Sequence, residues 1–177
     1  MKGLWSNPLF RFIIYAFSLY LLWFILYSNW LQPQGIVDNW VIGIIINHTD
    51  TLLSILGFET HSPDIYGPDV KTVGIVGSSG VWIGDACNGL TLFALFSGFV
   101  LAYPGPMIKK IWFVPFGIVT IHLLNVIRVT ALAVIAKYYP SSLDFNHTYT
   151  FTILVYSYVF GLWYFWANKL SKVGQEN

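Results

Sequence analysis

The sequence predicts an all-α polytopic membrane protein with about four transmembrane helices. Of its 177 residues, 56% are hydrophobic and only 10% are charged, whereas a soluble domain is about one quarter charged. Several apolar segments approach or exceed the roughly 20 residues that a bilayer span requires. Lipid is therefore the expected environment, and the net charge of +1 argues against nucleic acid as a partner.

The chain divides into four predicted spans within a single membrane domain. They cover residues 9–27, 87–103, 111–136 and 147–167. The first is too long for the apolar core of a signal peptide and no clean cleavage site follows it, so we interpret it as a retained helix. The run Pro104-Gly105-Pro106 ends the second span.

The basic residues indicate the orientation of the spans. They lie around the start of the first span, in the connection between the second and the third, and after the fourth: Lys2, Arg11, Lys109, Lys110, Lys169 and Lys172. The positive-inside rule places all of these positions, and hence both termini, in the cytoplasm. The long connection at residues 31–86 contains six acidic residues and Lys71 as its only lysine or arginine, so we expect it outside.

Two elements are expected in this outer loop. Residues 36–58 are apolar but interrupted by polar residues such as Asp38, which favours a helix lying in or dipping into the interface. If this segment were instead a fifth span, the basic second connection would lie outside. Residues 70–84 contain two short β-type runs around Gly77-Ser78-Ser79-Gly80, a pattern typical of a short β-hairpin.

Cys87, the only cysteine, lies at the outer start of the second predicted span. A single cysteine excludes an internal disulfide. Asp85 is a candidate N-cap that would place Cys87 in the first helical turn. The positive end of a helix dipole favours the reactive thiolate, although an ionised Asp85 would oppose this effect. The alternative is that Cys87 is only a small apolar side chain.

The third predicted span has a polar stripe formed by His122, Asn125 and Arg128. Arg128 lies 17 residues after Ile111, or about 26 Å along a helix. That distance places it just inside the outer boundary of a core about 30 Å thick. A polar stripe facing lipid would be costly, so we expect it to face the interior of the bundle. His122 is a possible relay residue or a buried, hydrogen-bonded histidine.

His147 is predicted to open the fourth helix, with Asn146 or Asp144 as its cap. An imidazole at this position is a candidate general base. With the four spans placed across the membrane in this way, Cys87, Arg128 and His147 lie near its outer face and at a similar depth. No motif with metal-ligand spacing and no Gly-x-Ser-x-Gly elbow is present, so no metal or cofactor is expected.

These residues resemble the motifs of a known family. Ala86-Cys87-Asn88-Gly89 resembles the Ala-Cys-x-Gly signature of the exosortase/archaeosortase family. Asn125-Val126-Ile127-Arg128 is similar to the family's Asn-x-x-Arg motif, and His147 matches its third catalytic position. The resemblance covers roughly residues 70–166. The chain differs in having Asn88 where the family often has Ser or Ala, and in its small number of spans.

The resemblance implies a cysteine transpeptidase of the bacterial inner membrane, with its active site facing the periplasm. Its expected partners are secreted proteins whose C-terminal tails carry a short motif, a transmembrane helix and a basic end. Cys87 would be the nucleophile, His147 the proton carrier and Arg128 the oxyanion stabiliser. The substrate-binding or supporting residues would be Asn125, Asp85, Asn88 and His122.

The sequence leaves the acceptor of the cleaved product open between an amine, a lipid and water. Two other functions also remain open. One is an intramembrane cysteine peptidase that only hydrolyses its substrate. The other is a non-enzymatic scaffold for envelope or exopolysaccharide export.

Overall fold

The computed structural model describes residues 7–67 and 70–171. Its main helices are α1 (Pro8–Leu26), α2 (Ile36–Ile55), α3 (Leu90–Ala102), α4 (Met107–Tyr138) and α5 (Phe151–Phe165). Strands β1 (Thr72–Val73) and β2 (Val81–Trp82) form an antiparallel hairpin between α2 and α3. The prediction of an all-α membrane protein with a short hairpin is therefore confirmed. Of the basic residues that indicate orientation, Lys2 and Lys172 lie outside the described residues.

Within the described part of the chain, three helical segments are long and apolar enough to cross a membrane. They are Pro8–Gln34, Met107–Tyr138 and Pro140–Leu170. The predicted second span is shorter than expected, since α3 has 13 residues and is about 20 Å long. The left-handed Gly89 (φ 85°) starts α3 at Leu90, so the residues from Cys87 to Gly89 do not extend the helix.

A first core is formed by aromatic and aliphatic packing between α3, α4 and the helical segment Pro140–Leu170. It consists of Phe96, Val100, Phe113, Ile121, Val159, Leu162 and Trp166. Gly117 lies against the ring of Phe96, and a Cβ atom at this position would overlap that ring. The structure therefore requires a residue without a side chain at this position.

Two lysines stabilise helix ends at the basic end of the bundle. Lys109 Nζ donates to the carbonyl of Leu170 at 3.2 Å, and Lys110 Nζ donates to the carbonyl of Leu101 at 2.7 Å. Cations at helix C-termini interact favourably with the free carbonyl groups there. Lys110 is separated from Arg128 by 18 positions of α4, or about 27 Å. The basic residues and the predicted site are therefore far apart along this helix.

A second core joins α2, the hairpin and the far half of α4. It consists of Val41, Ile42, Ile45, Ile46, Leu53, Val73, Ile75, Val81, Ile83, Val129, Leu132, Ala133 and Ala136. Helix α2 is not among the segments apolar enough to span, and one face of it is buried against α4. That α2 lies at the interface stays a prediction. This second core fixes the hairpin, and with it the segment that carries Cys87.

Candidate active site

Cys87 lies in a short 3₁₀ turn, Asp85–Cys87, directly after the hairpin. Its N–H donates to the carbonyl of Gly84 at 2.9 Å. The prediction that Cys87 is in the first turn of the span, capped by Asp85, is wrong. The N-cap residue of α3 is Gly89 and not Asp85, and Asn88 Oδ1 accepts from the N–H of Leu90 at 2.9 Å. Asn88 thus satisfies a free donor at the start of α3.

His147 is brought into contact with Cys87 from the other end of the chain. The distance from Cys87 Sγ to His147 Nε2 is 3.4 Å, and both side chains are half-buried. The prediction that His147 opens a helix, capped by Asn146 or Asp144, is wrong. The helical segment already begins at Pro140, His147 lies in the π-helical turn Asn146–Thr150, and Asn146 Nδ2 donates to the carbonyl of Ser142.

Helix α4 contributes Asn125 and Arg128, which lie about one turn apart. Asn125 is 5% exposed, and its Nδ2 donates to the carbonyl of Cys87 at 2.9 Å. Asn125 therefore holds the main chain at the cysteine. Arg128 Nε is buried and has no hydrogen-bond partner among the described residues. A buried donor without a partner costs about 1–3 kcal/mol, and more when it is charged. Arg128 therefore has an unused donor and lines the same cavity as Cys87.

These side chains line one cavity of about 480 Å³ between the cysteine turn, α4 and the helical segment after His147. Asp85 and Asn88 also line it, as do Thr152 and Tyr156, which the sequence did not single out. The structure thus brings together all but one of the predicted site residues.

His122 is the exception. It faces a separate apolar groove, where its Nε2 lies 2.9 Å from Nδ1 of His48. The residues lining the cavity around Cys87 do not include it. Among the described residues, His122 makes no recorded contact that would support the expectation of a supporting or relay role at Cys87. Its partner is instead a histidine of α2, a helix that packs against α4.

Asp38 is the main residue near the site that the sequence did not identify. Its carboxylate is 1% exposed, and Oδ1 accepts from the hydroxyl of Tyr27 at 2.7 Å and from Nδ2 of Asn88 at 2.5 Å. The sequence suggested only that Asp38 interrupts an apolar helix. The sequence did contain a signal, a lone carboxylate near the start of an apolar helix. A buried charge requires hydrogen-bonding partners, so this carboxylate could have been expected to bind polar groups of other segments.

The arrangement is suited to nucleophilic chemistry. A thiol in contact with an imidazole can lose its proton to the ring, and a nearby guanidinium can stabilise a developing anion. Among the described residues, no group of three or more histidine, cysteine or acidic side chains could hold a metal ion. Cys87, His147 and Arg128 are the candidate catalytic residues of this cavity.

Comparison with known proteins identifies the family. The chain matches the family model described as transmembrane exosortase (Exosortase_EpsH) over residues 4–166. No curated protein and no solved structure matches it significantly. The family match spans most of the chain, includes every residue of the cavity, and confirms the resemblance to this family. The chain therefore belongs to the transmembrane exosortase family.

Proposed function

We propose that this protein is a cysteine transpeptidase that cleaves the C-terminal tails of secreted proteins at a membrane surface. Membership of the exosortase family implies the processing of such tails. The observation that carries the proposal is the 3.4 Å contact between Cys87 Sγ and His147 Nε2, in a cavity also lined by Arg128, whose Nε has no hydrogen-bond partner in the described part of the chain. A scaffold protein has no need of this combination.

In the first half of the reaction, Cys87 gives its proton to His147 and attacks the scissile carbonyl. A carbon–sulfur bond forms, and the carbonyl oxygen becomes an oxyanion that Arg128 stabilises. When the tetrahedral intermediate collapses, the carbon–nitrogen bond breaks and His147 returns the proton to the leaving amine. Asn125 supports this step by holding the carbonyl of Cys87 at 2.9 Å.

In the second half, a nucleophile attacks the thioester. His147 takes the proton of the incoming amine or hydroxyl group, and Cys87 leaves as a thiolate that recovers this proton. An amine, a lipid headgroup or water could each serve as the nucleophile. Transfer to an amine or a lipid gives a transpeptidase-type reaction, whereas attack by water gives hydrolysis.

The proposed location is the bacterial inner membrane, with the cavity facing the periplasm. In support, Lys109 and Lys110 lie at the opposite end of α4 from Arg128, about 27 Å away. Basic residues favour the cytoplasmic side. A tail whose basic end is cytoplasmic would then present its cleavable motif near Cys87.

Co-expression with a candidate substrate tests the function. The substrate is a reporter fused to the C-terminal motif, helix and basic tail of a secreted protein encoded in the same genome. We expect the wild type to shorten the reporter and Cys87→Ala to leave it intact. His147→Ala is expected to slow processing by about 10²–10⁴-fold. His48→Ala is the matched control, because His48 lies outside the catalytic cavity.

Added hydroxylamine makes the chemistry visible whatever the natural acceptor is. It attacks a thioester and leaves a hydroxamate at the new C-terminus of the reporter, which mass spectrometry detects. Without hydroxylamine, the mass of the product distinguishes an added acceptor from simple hydrolysis. Normal processing by Cys87→Ala would refute the proposal, as would a cleaved product that never carries the hydroxamate.

A further inference from the structure

Strand β2 has one paired edge and one open edge. On the paired edge, the N–H of Ile83 donates to the carbonyl of Lys71 at 3.0 Å, and Trp82 lies opposite Thr72. Hydrogen-bonded and non-hydrogen-bonded pairs alternate along antiparallel strands. The main-chain N–H and C=O of Trp82 therefore face away from β1.

The neighbouring strand has no such open edge. The N–H of Thr72 donates to the carbonyl of Pro63 at 3.1 Å, and the N–H of His61 donates to the carbonyl of Gly74 at 3.2 Å. The segment before β1 thus covers its second edge. No strand of the described chain pairs with the outer edge of β2, so Trp82 presents a donor and an acceptor ready for an added strand.

The open edge leads into the active site. A cleft of about 170 Å³ separates β2 from the segment before α5 and is lined by Trp82, Asp144 and His147 among others. A second, smaller cavity is lined jointly by Trp82, Cys87, Arg128 and His147. Trp82 itself is 64% exposed. A chain laid along this edge would pass beside the catalytic contact.

We propose that this edge binds the substrate as an extended strand, paired with the N–H and C=O of Trp82, so that its scissile carbonyl reaches Cys87. This inference rests on the proposed role of Cys87 as an acyl-transfer nucleophile. The occupant is a peptide and not a second copy of β2, because Trp82 on this edge lines a small cavity together with Cys87 and His147. Main-chain pairing of this kind selects extended conformation, while side-chain pockets select sequence.

Labelling of the wild-type protein tests the inference without a known substrate. The peptide probe is acetyl-Ala-Ala-Ala-chloromethyl ketone, and the reference reagent is chloroacetamide. The rate at which each reagent alkylates Cys87 is divided by its rate with glutathione, which removes differences in intrinsic reactivity. Each alkylates Cys87 with loss of chloride while His147 takes the thiol proton, and Cys87 is the only cysteine. Two main-chain hydrogen bonds predict that the peptide probe reacts about tenfold faster than its normalised reference.

Methylation of the probe distinguishes strand pairing from general apolar binding. In an edge-paired peptide, only alternate N–H groups face the partner strand. Two isomeric probes, N-methylated at adjacent residues, are therefore expected to differ. One loses the tenfold acceleration and the other retains it. Equal rates for the two isomers would overturn the proposal, as would the absence of any acceleration with the parent probe.

A pair of variants at Trp82 examines the protein side of the same bond. Trp82→Pro removes the outward N–H, a change that edge strands tolerate, whereas Trp82→Ala removes the indole and retains the N–H. We expect only Trp82→Pro to lose the acceleration. The chloroacetamide rate checks that the Cys87–His147 contact is intact, and the methylated probes decide the question if Trp82→Pro fails to fold.

The remaining outcomes separate this inference from the proposed function. Suppose that tails are not processed but the two methylated probes label Cys87 at different rates. The edge then binds peptides, and the proposed substrate is wrong. If tails are processed but the two methylated probes label Cys87 at equal rates, the proposal for the β2 edge is wrong and the proposed function stands. A dimer of the wild type that Trp82→Pro dissociates, with unchanged probe rates, would show that β2 pairs with a second copy and would also overturn it.

Discussion

Replacing Asp38 by alanine tests whether a buried carboxylate holds the catalytic turn in place. Oδ1 of Asp38 accepts hydrogen bonds from the end of the first helical segment, through Tyr27, and from the cysteine turn, through Asn88. Asn88 in turn accepts from the N–H of Leu90. We propose that Asp38 is a positioning residue, and we expect Asp38→Ala to lower the rate at which the tail acylates Cys87.

The magnitude follows from the two donors left without an acceptor. Asn88 is 1% exposed, so its amide cannot exchange Asp38 for bulk water. A buried donor without a partner costs about 1–3 kcal/mol, and each 1.4 kcal/mol corresponds to a factor of ten. If Asn88 alone were left unpaired, the population of the aligned turn would fall by about 5- to 150-fold. Tyr27→Phe, which removes one half-buried donor, should have a smaller effect.

Asp38→Asn is the matched control. Asparagine has the same shape and retains an oxygen that can accept both bonds, although without the added strength of a charged acceptor. Removal of the charge also lowers the cost of burying the group. We therefore expect Asp38→Asn to retain most of the activity that Asp38→Ala loses.

The assay is steady-state cleavage of the reporter tail with hydroxylamine present, from which kcat and KM are measured, alongside the thermal midpoint of each variant in detergent. A positioning role predicts that Asp38→Ala lowers kcat with little change in KM, at temperatures far below its midpoint. Unchanged kcat in a folded Asp38→Ala protein would refute the reasoning. Equal losses in Asp38→Asn and Asp38→Ala would show that charge, and not hydrogen bonding, is the important property.

Three further predictions follow from individual contacts. Arg128→Gln should lower kcat for tail cleavage by about 10²–10³-fold, the usual effect of losing an oxyanion donor; an unchanged kcat would remove Arg128 from the mechanism. Gly117→Ala should destabilise the bundle by about 1–3 kcal/mol, because the new Cβ would overlap Phe96. The measurement is the midpoint of thermal unfolding. The control is Gly161→Ala, whose new Cβ has no neighbour within 4 Å, and its midpoint should stay close to that of the wild type. Equal midpoints for the two variants would contradict this prediction. In spheroplasts, a membrane-impermeant maleimide should label Cys87, with Cys87→Ala as the blank; labelling only after permeabilisation would reverse the proposed orientation.

Local pattern was sufficient to predict most of the helices and the hairpin. The predicted spans at residues 9–27 and 111–136 correspond to α1 and to most of α4, because an apolar run of membrane-spanning length is a local property of the chain. The turn around residues 77–80 likewise joins β1 and β2, since glycines accept the positive φ angles found there.

The local backbone at the site could not be predicted in the same way. Cys87 precedes α3 because Gly89 adopts a left-handed conformation, and His147 lies in a π-helical turn within a longer helix. Neither feature alters the apolar pattern from which spans are recognised. The bond between Asp38 and Asn88 joins positions 50 residues apart, so no periodicity in either segment predicts it.

The irregular backbone at these positions is what allows the site to assemble. A π-helical turn widens a helix locally and is frequent at functional sites, and the one at Asn146–Thr150 presents His147 to the cysteine turn. Arg128, by contrast, is carried by regular helix whose neighbours Val129 and Leu132 are packed in the core. That packing offsets the cost of a buried donor without a partner. In the proposed mechanism, an oxyanion would satisfy this donor only as it forms, so Arg128 would contribute more to the transition state than to the bound substrate, as catalysis requires.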